Sequence, residues 1–239
     1  NQKSKWYFIF YIFFFIKKYS QKEGVKVLVI KYLLLLFPSS VKAHTFTGMI
    51  GFYDGISHPV LGLDHFLAMV SVGIISALIG RRAIWLVPII FVCSMIVGGL
   101  FGMIVEIDKN FRDQVLDLSQ ISYYNFFADY VTSVIEIGIT LSVILLGLVI
   151  TIQKKLSFKI IIIFITLFGT CHGTAHGMEM PWAVNPILFA SGFVLSTSTL
   201  HLFGVGIGIF FIRTKFSNLL LKFFGTLCIV YGIYLFSII

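Results

Sequence analysis

Charge is scarce in this chain. Asp, Glu, Lys and Arg make up 12% of its 239 residues, whereas 58% are apolar. That balance excludes an ordinary soluble domain, which could not bury so much Phe, Ile and Leu. Cysteine is scarce too. Cys93, Cys171 and Cys228 all fall inside apolar runs and none forms a CxxC pair, so neither a disulfide framework nor a thiolate cluster is expected. They read as small packing residues, with Cys171 set apart only because it precedes His172. A Walker motif is missing, which removes direct ATP coupling, and so is HExxH, the helix signature of zinc proteases.

What positive charge there is sits at one end. Residues 1–43 hold eight Lys and one acid, a balance of +7, whereas residues 44–239 hold ten Lys or Arg against nine Asp or Glu. The net +8 is therefore a property of a leader, where positive charge keeps an N-terminus on the cytoplasmic side, and a nucleic-acid partner is rejected. Val25–Phe37 is a short apolar core that runs into Pro38-Ser39-Ser40 and Val41-Lys42-Ala43, a pattern suited to signal peptidase cleavage after Ala43. His44 then becomes the first mature residue. Residues 1–23, which lack an initiator Met, read as upstream translation or a fragment artefact, with the leader proper starting near Gly24 or Val25. An uncleaved N-terminal anchor is the alternative.

Apolar runs of about 20 residues, enough to cross a hydrocarbon core of roughly 30 Å, dominate residues 44–239. Six spans are predicted, at about Pro59–Gly80, Ile84–Val105, Asp129–Thr151, Phe158–Met180, Pro186–Ile212 and Leu219–Ile238. Lipid offers no partner to backbone amides, so the expected fold is all-α: a polytopic six-transmembrane-helix bundle after a cleavable signal segment. Arg81-Arg82, Lys154-Lys155 with Lys159, and Arg213 with Lys215 and Lys222 occupy alternate connections. Placing these inside puts both mature termini on the outer, periplasmic side.

Ionisable residues inside such helices each cost about 2.5–3.5 kcal/mol on insertion scales and so require a reason. The first span carries His58, Asp64 and His65 in HPVLGLDHFLAM; the third carries Asp129 and Glu136; the fourth carries His172, His176 and Glu179 in CHGTAHGMEMP; the fifth carries His201. Seven residues separate His58 from His65, which places them on one helical stripe. His172 and His176 are an i,i+4 pair with Glu179 three beyond, so a single helix offers two imidazoles and a carboxylate to one ion. Thr197 and Ser198 lie one turn before His201. In depth the set descends from His58 and Glu179 near the outer face, through Asp64, His65, Glu136, His176 and His172, to His201. Imidazole suits Ni²⁺, Co²⁺, Zn²⁺ and Cu²⁺, whereas Mg²⁺ or Ca²⁺ favours all-oxygen shells. His44 is a further candidate ligand through its amine and ring, although a solvated terminus is its ordinary role. Asp129 is read as an interfacial residue and Asp54 as a turn residue.

These residues also carry a resemblance. HPVLGLDHFLAM, Glu136 followed by Ser142 and Gly147, HGTAHGMEMP, and the stretch from Gly192 to His201 and Gly204 resemble the HupE/UreJ family over essentially all of residues 44–239. The resemblance implies a nickel or cobalt permease of the bacterial inner membrane that supplies hydrogenase, urease or other nickel enzymes. It also implies that His58, Asp64 and His65 form the first-helix metal motif, and His172, His176 and Glu179 the fourth-helix one. The expected cargo is Ni²⁺, then Co²⁺, with Zn²⁺ a further option, and the expected activity is transport rather than catalysis. Two rivals stand beside this reading. One is an intramembrane zinc hydrolase with Glu136 or Glu179 as base; the other is a metal sensor or loading protein that moves no ion. No His-rich cytoplasmic loop is present, so metal storage is not expected.

Overall fold

The computed structural model describes residues 51–115, 118–153, 157–180 and 185–239, with the side chains of residues 108–129 outside that description. The expected leader, its cleavage point and His44 therefore lie outside the described residues. Among the described residues all regular structure is helical, in seven segments: α1 Phe52–Leu61, α2 Leu63–Ile79, α3 Ala83–Val115, α4 Leu118–Ile152, α5 Phe158–Glu179, α6 Pro186–Phe211 and α7 Lys215–Phe236. Within these described residues five stretches, Ala83–Ile107, Tyr130–Ile152, Phe158–Glu179, Pro186–Phe211 and Lys215–Phe236, are long and apolar enough to cross a membrane. The pair α1–α2 adds a sixth where it counts as one bent span. This is the helix pattern of a multi-pass membrane protein.

The first predicted span is not one helix. α1 and α2 meet at an angle of 82° about Gly62. Pro59 lacks an amide hydrogen and crowds the carbonyl one turn earlier, which weakens the end of α1. Gly62 then leaves the helical region at φ −76° and ψ 109°, although its N–H still donates to His58 O at 3.1 Å. α2 restarts at once, with Phe66 N–H donating to Gly62 O at 2.8 Å. Asp64 falls in the first turn of α2, where the exposed amides of a helix start favour a carboxylate.

The acid-rich connection predicted between the second and third spans is also largely helical. α3 continues to Val115 and α4 begins at Leu118. No Gly or Pro occurs from Met103 to Ile137, so nothing in the chain stops a helix as it leaves the apolar stretch.

Packing follows two main partnerships around the polar residues: α3 lies along α5, and α6 lies along α2 and α1, while α7 covers α4. Both partnerships depend on missing side chains. A Cβ at Gly173 of α5 would collide with the carbonyl of Met95 in α3, and one at Gly73 of α2 with the carbonyl of His201 in α6. Such close backbone approach is how helices associate where lipid gives no hydrophobic drive. The core these contacts enclose includes Met69, Val72, Phe91, Phe189 and Phe193, whereas Trp85, Ile163, Ile187 and Phe210 point outward.

Candidate metal centre

His65, the third residue of α2, has its Nδ1 2.9 Å from Oδ1 of Asp64. A carboxylate accepts the Nδ1 proton, which fixes the ring and makes Nε2 the nitrogen suited to a metal. His172 reaches the same state by another route. Its Nδ1 lies 2.9 Å from the Phe168 carbonyl, which can only accept, so Nδ1 carries the hydrogen and Nε2 carries the lone pair. That Nε2 is fully buried without a hydrogen-bond partner. His176 places Nδ1 3.4 Å from Oε2 of Glu179, and its Nε2 is likewise buried and unpartnered.

Glu179 also lies 3.6 Å from Nε2 of His58, so one carboxylate joins α1 to α5. His58 and His65 stand only 6.0 Å apart between ring centroids. On a straight helix, seven residues would separate them by about 10 Å along the axis. The 82° break closes that distance, so the sequence-based stripe is replaced by a hinge. His58, His65 and His176 are all buried, and each offers a donor atom within 4.8 Å of the other two. Metal–nitrogen bonds of about 2.0–2.1 Å hold donors no more than roughly 4.2 Å apart, so a small contraction completes a three-imidazole site.

The rings form a file. His58 contacts His176 at 4.7 Å, His176 contacts His65 at 4.5 Å, and His65 contacts His172 at 5.2 Å. Beyond His172 comes Phe91 at 5.7 Å, and beyond Phe91 comes His201 at 5.1 Å. Phe193 closes one side, 4.4 Å from His176, and Phe189 lies 5.9 Å from His58. Outside this wall His176 lines a cavity of about 230 Å³ together with Met95, Met103, Met180 and Phe193.

Among the described residues, Glu136, His172 and His201 are not members of the three-histidine group. Glu136 is half-buried on α4, and Asp129 lies within α4 rather than at its start. His172 and His201 belong to the file of rings but not to the group itself.

Comparison with known proteins gives the family of this bundle. The family model for "HupE / UreJ protein" matches residues 32–121 and 124–235. The chain belongs to the HupE/UreJ family. It is similar to Protein HupE of Rhizobium leguminosarum bv. viciae, 31% identical over 173 residues, which cover 72% of this chain and 78% of that protein. No solved structure is significantly similar to it.

In this HupE/UreJ chain the aromatic walls were the part that sequence reasoning missed. A signal was present: Phe189, Phe193, Thr197 and His201 recur every four residues along α6, one per turn, on the stripe that meets α1 and α2. Apolar residues at that spacing look like ordinary lipid-facing or core positions until the polar end of the stripe is given equal weight.

Proposed function

We propose that this chain moves a divalent transition-metal ion, Ni²⁺ first and Co²⁺ next, inward across the bacterial inner membrane. The observation that carries the reading is the meeting of three buried imidazoles from α1, α2 and α5 within 4.8 Å, flanked by Asp64 and Glu179. A dehydrating cation loses water ligands and gains imidazole nitrogens, and the two carboxylates offset its charge in a setting where an uncompensated charge is costly. The capture residues are His58 and Glu179; His65, His176 and His172 take the ion deeper. Glu136 and His44 are supporting ligands in the same reading. The basic loops set the direction, with both mature termini periplasmic. The family resemblance supports nickel as the cargo and a nickel-enzyme maturation system as its recipient.

Uptake of radiolabelled Ni²⁺ and Co²⁺ into proteoliposomes tests this. Wild-type protein fills the vesicles with metal, and a His65→Ala, His176→Ala double variant does not. Equal uptake by the two would end the transport reading. Metal-dependent cleavage of a substrate without uptake would favour the hydrolase alternative.

A further inference from the structure

Past the three-histidine group, the file of rings ends on a second set of polar atoms. Both ring nitrogens of His201 and the hydroxyl of Thr197 are buried and have no hydrogen-bond partner. Neither residue has any exposed surface. A histidine that only joins two helices needs an acceptor or donor on the neighbouring helix, and His201 has neither. Thr197 is equally unusual among its neighbours. Ser198 Oγ donates to Val194 O at 2.7 Å and Thr199 Oγ1 donates to Leu195 O at 2.8 Å, the ordinary use of a hydroxyl inside a helix. Thr197 makes no such bond.

Leaving a buried polar atom unsatisfied costs about 1–3 kcal/mol, and here three such atoms lie on one face, four residues apart. The backbone holds them there rigidly, because α2 meets the His201 carbonyl through Gly73. His172 stands between this pair and the outer group: its ring contacts His65 on one side and Phe91 on the other, and Phe91 in turn contacts His201.

We propose that His201 and Thr197 form a second, inner station for the same class of divalent cation, with His172 between the two stations. This rests on the outer group being a metal site and adds that the protein holds a second ion at the same time. The donor sets differ in a useful direction. Three imidazoles with two nearby carboxylates bind strongly; one imidazole and one neutral hydroxyl, completed by water, bind weakly. Conduction needs binding that is favourable enough to draw an ion in and weak enough to release it. A strong outer station followed by a weak inner one meets both needs.

The test is equilibrium dialysis of the purified full-length chain in detergent against Co²⁺, with bound metal counted per chain. Wild-type protein binds two equivalents, the second more weakly. His201→Gln, which keeps a polar side chain, binds one. Thr197→Val, nearly identical in shape, weakens the second equivalent roughly tenfold and leaves the first unchanged. The His65→Ala, His176→Ala variant loses the tight equivalent. If His201→Gln and Thr197→Val both bind metal as wild type does, the inner station is wrong. If a single wild-type equivalent disappears with His65 and His176, the outer site stands and the inner one falls. Binding that survives every one of these substitutions overturns both.

Discussion

Asp64 Oδ1 lies 2.9 Å from Nδ1 of His65, its own neighbour in the chain. Adjacent residues on a helix normally point about 100° apart, and the pair meets here because it occupies the first turn after the break at Gly62, where Asp64 is the second residue of α2. In the proposed reading the carboxylate acts on the metal through the ring it orients. Asp64→Asn keeps the shape but removes the charge that favours the Nδ1–H form. We expect Ni²⁺ affinity to fall by about 10–100-fold, with the protein still folded, as measured by metal titration and size-exclusion profile. Unchanged affinity would show that the pair is a helix-start contact only.

Glu179 makes the second orienting contact, and it spans two helices. Glu179→Gln should weaken binding by a similar factor and should couple to His58: once His58→Ala has been made, adding Glu179→Gln costs less than it does alone. A double-mutant cycle on metal affinity reads this directly. Strict additivity would mean that the carboxylate serves His176 alone.

Acidification offers a different check. Protons and a divalent cation compete for the same imidazole lone pairs, so lowering pH moves each histidine toward a form that cannot ligate. Metal uptake should fall as external pH drops, at constant membrane potential, and should recover when the metal concentration is raised. A loss that excess metal does not reverse points instead to unfolding.

Packing carries its own prediction. Gly173 gives the Met95 carbonyl room between α5 and α3, and any side chain there must push the two helices apart. Gly173→Val should lower thermal stability markedly and, because His172 and His176 ride on the same helix, abolish tight metal binding together with it. Gly206→Val is the control, since nothing stands within 4 Å of a Cβ at that position. A stable Gly173→Val protein would contradict the packing described here.

The long apolar runs made the helices legible, and i,i+4 spacing made the α5 donor set legible, because both depend only on local periodicity. His172, His176 and Glu179 needed no knowledge of any other helix. The α1–α2 break was harder to read. Pro59 also fits the first turn of a helix, and the sequence-based boundary at Pro59 reflects that use; in the fold it instead closes α1. The ring contacts of Phe91, Phe189 and Phe193 were hidden for a different reason: in a chain with 26 Phe, many of the described ones, Phe101, Phe203 and Phe223 among them, are exposed, and which ones are not is decided by helix pairing. Glu136 shows the converse limit. With Thr132, Ser133 and Thr140 it makes a polar face at helical spacing, but periodicity does not say how close α4 brings that face to the histidines of α1, α2 and α5.

Gly62 leaves one of the three imidazoles on a lever of its own. His58 sits four residues before the pivot, about 6 Å along a ten-residue helix, while His65 and His176 are fixed to long neighbours. A swing of about 6° at that pivot displaces His58 by roughly 0.6 Å, comparable to the tightening from 4.8 Å that a coordinated cation would demand. In the proposed reading the shortest of the described helices thus has the greatest leverage over whether an ion is gripped or let go.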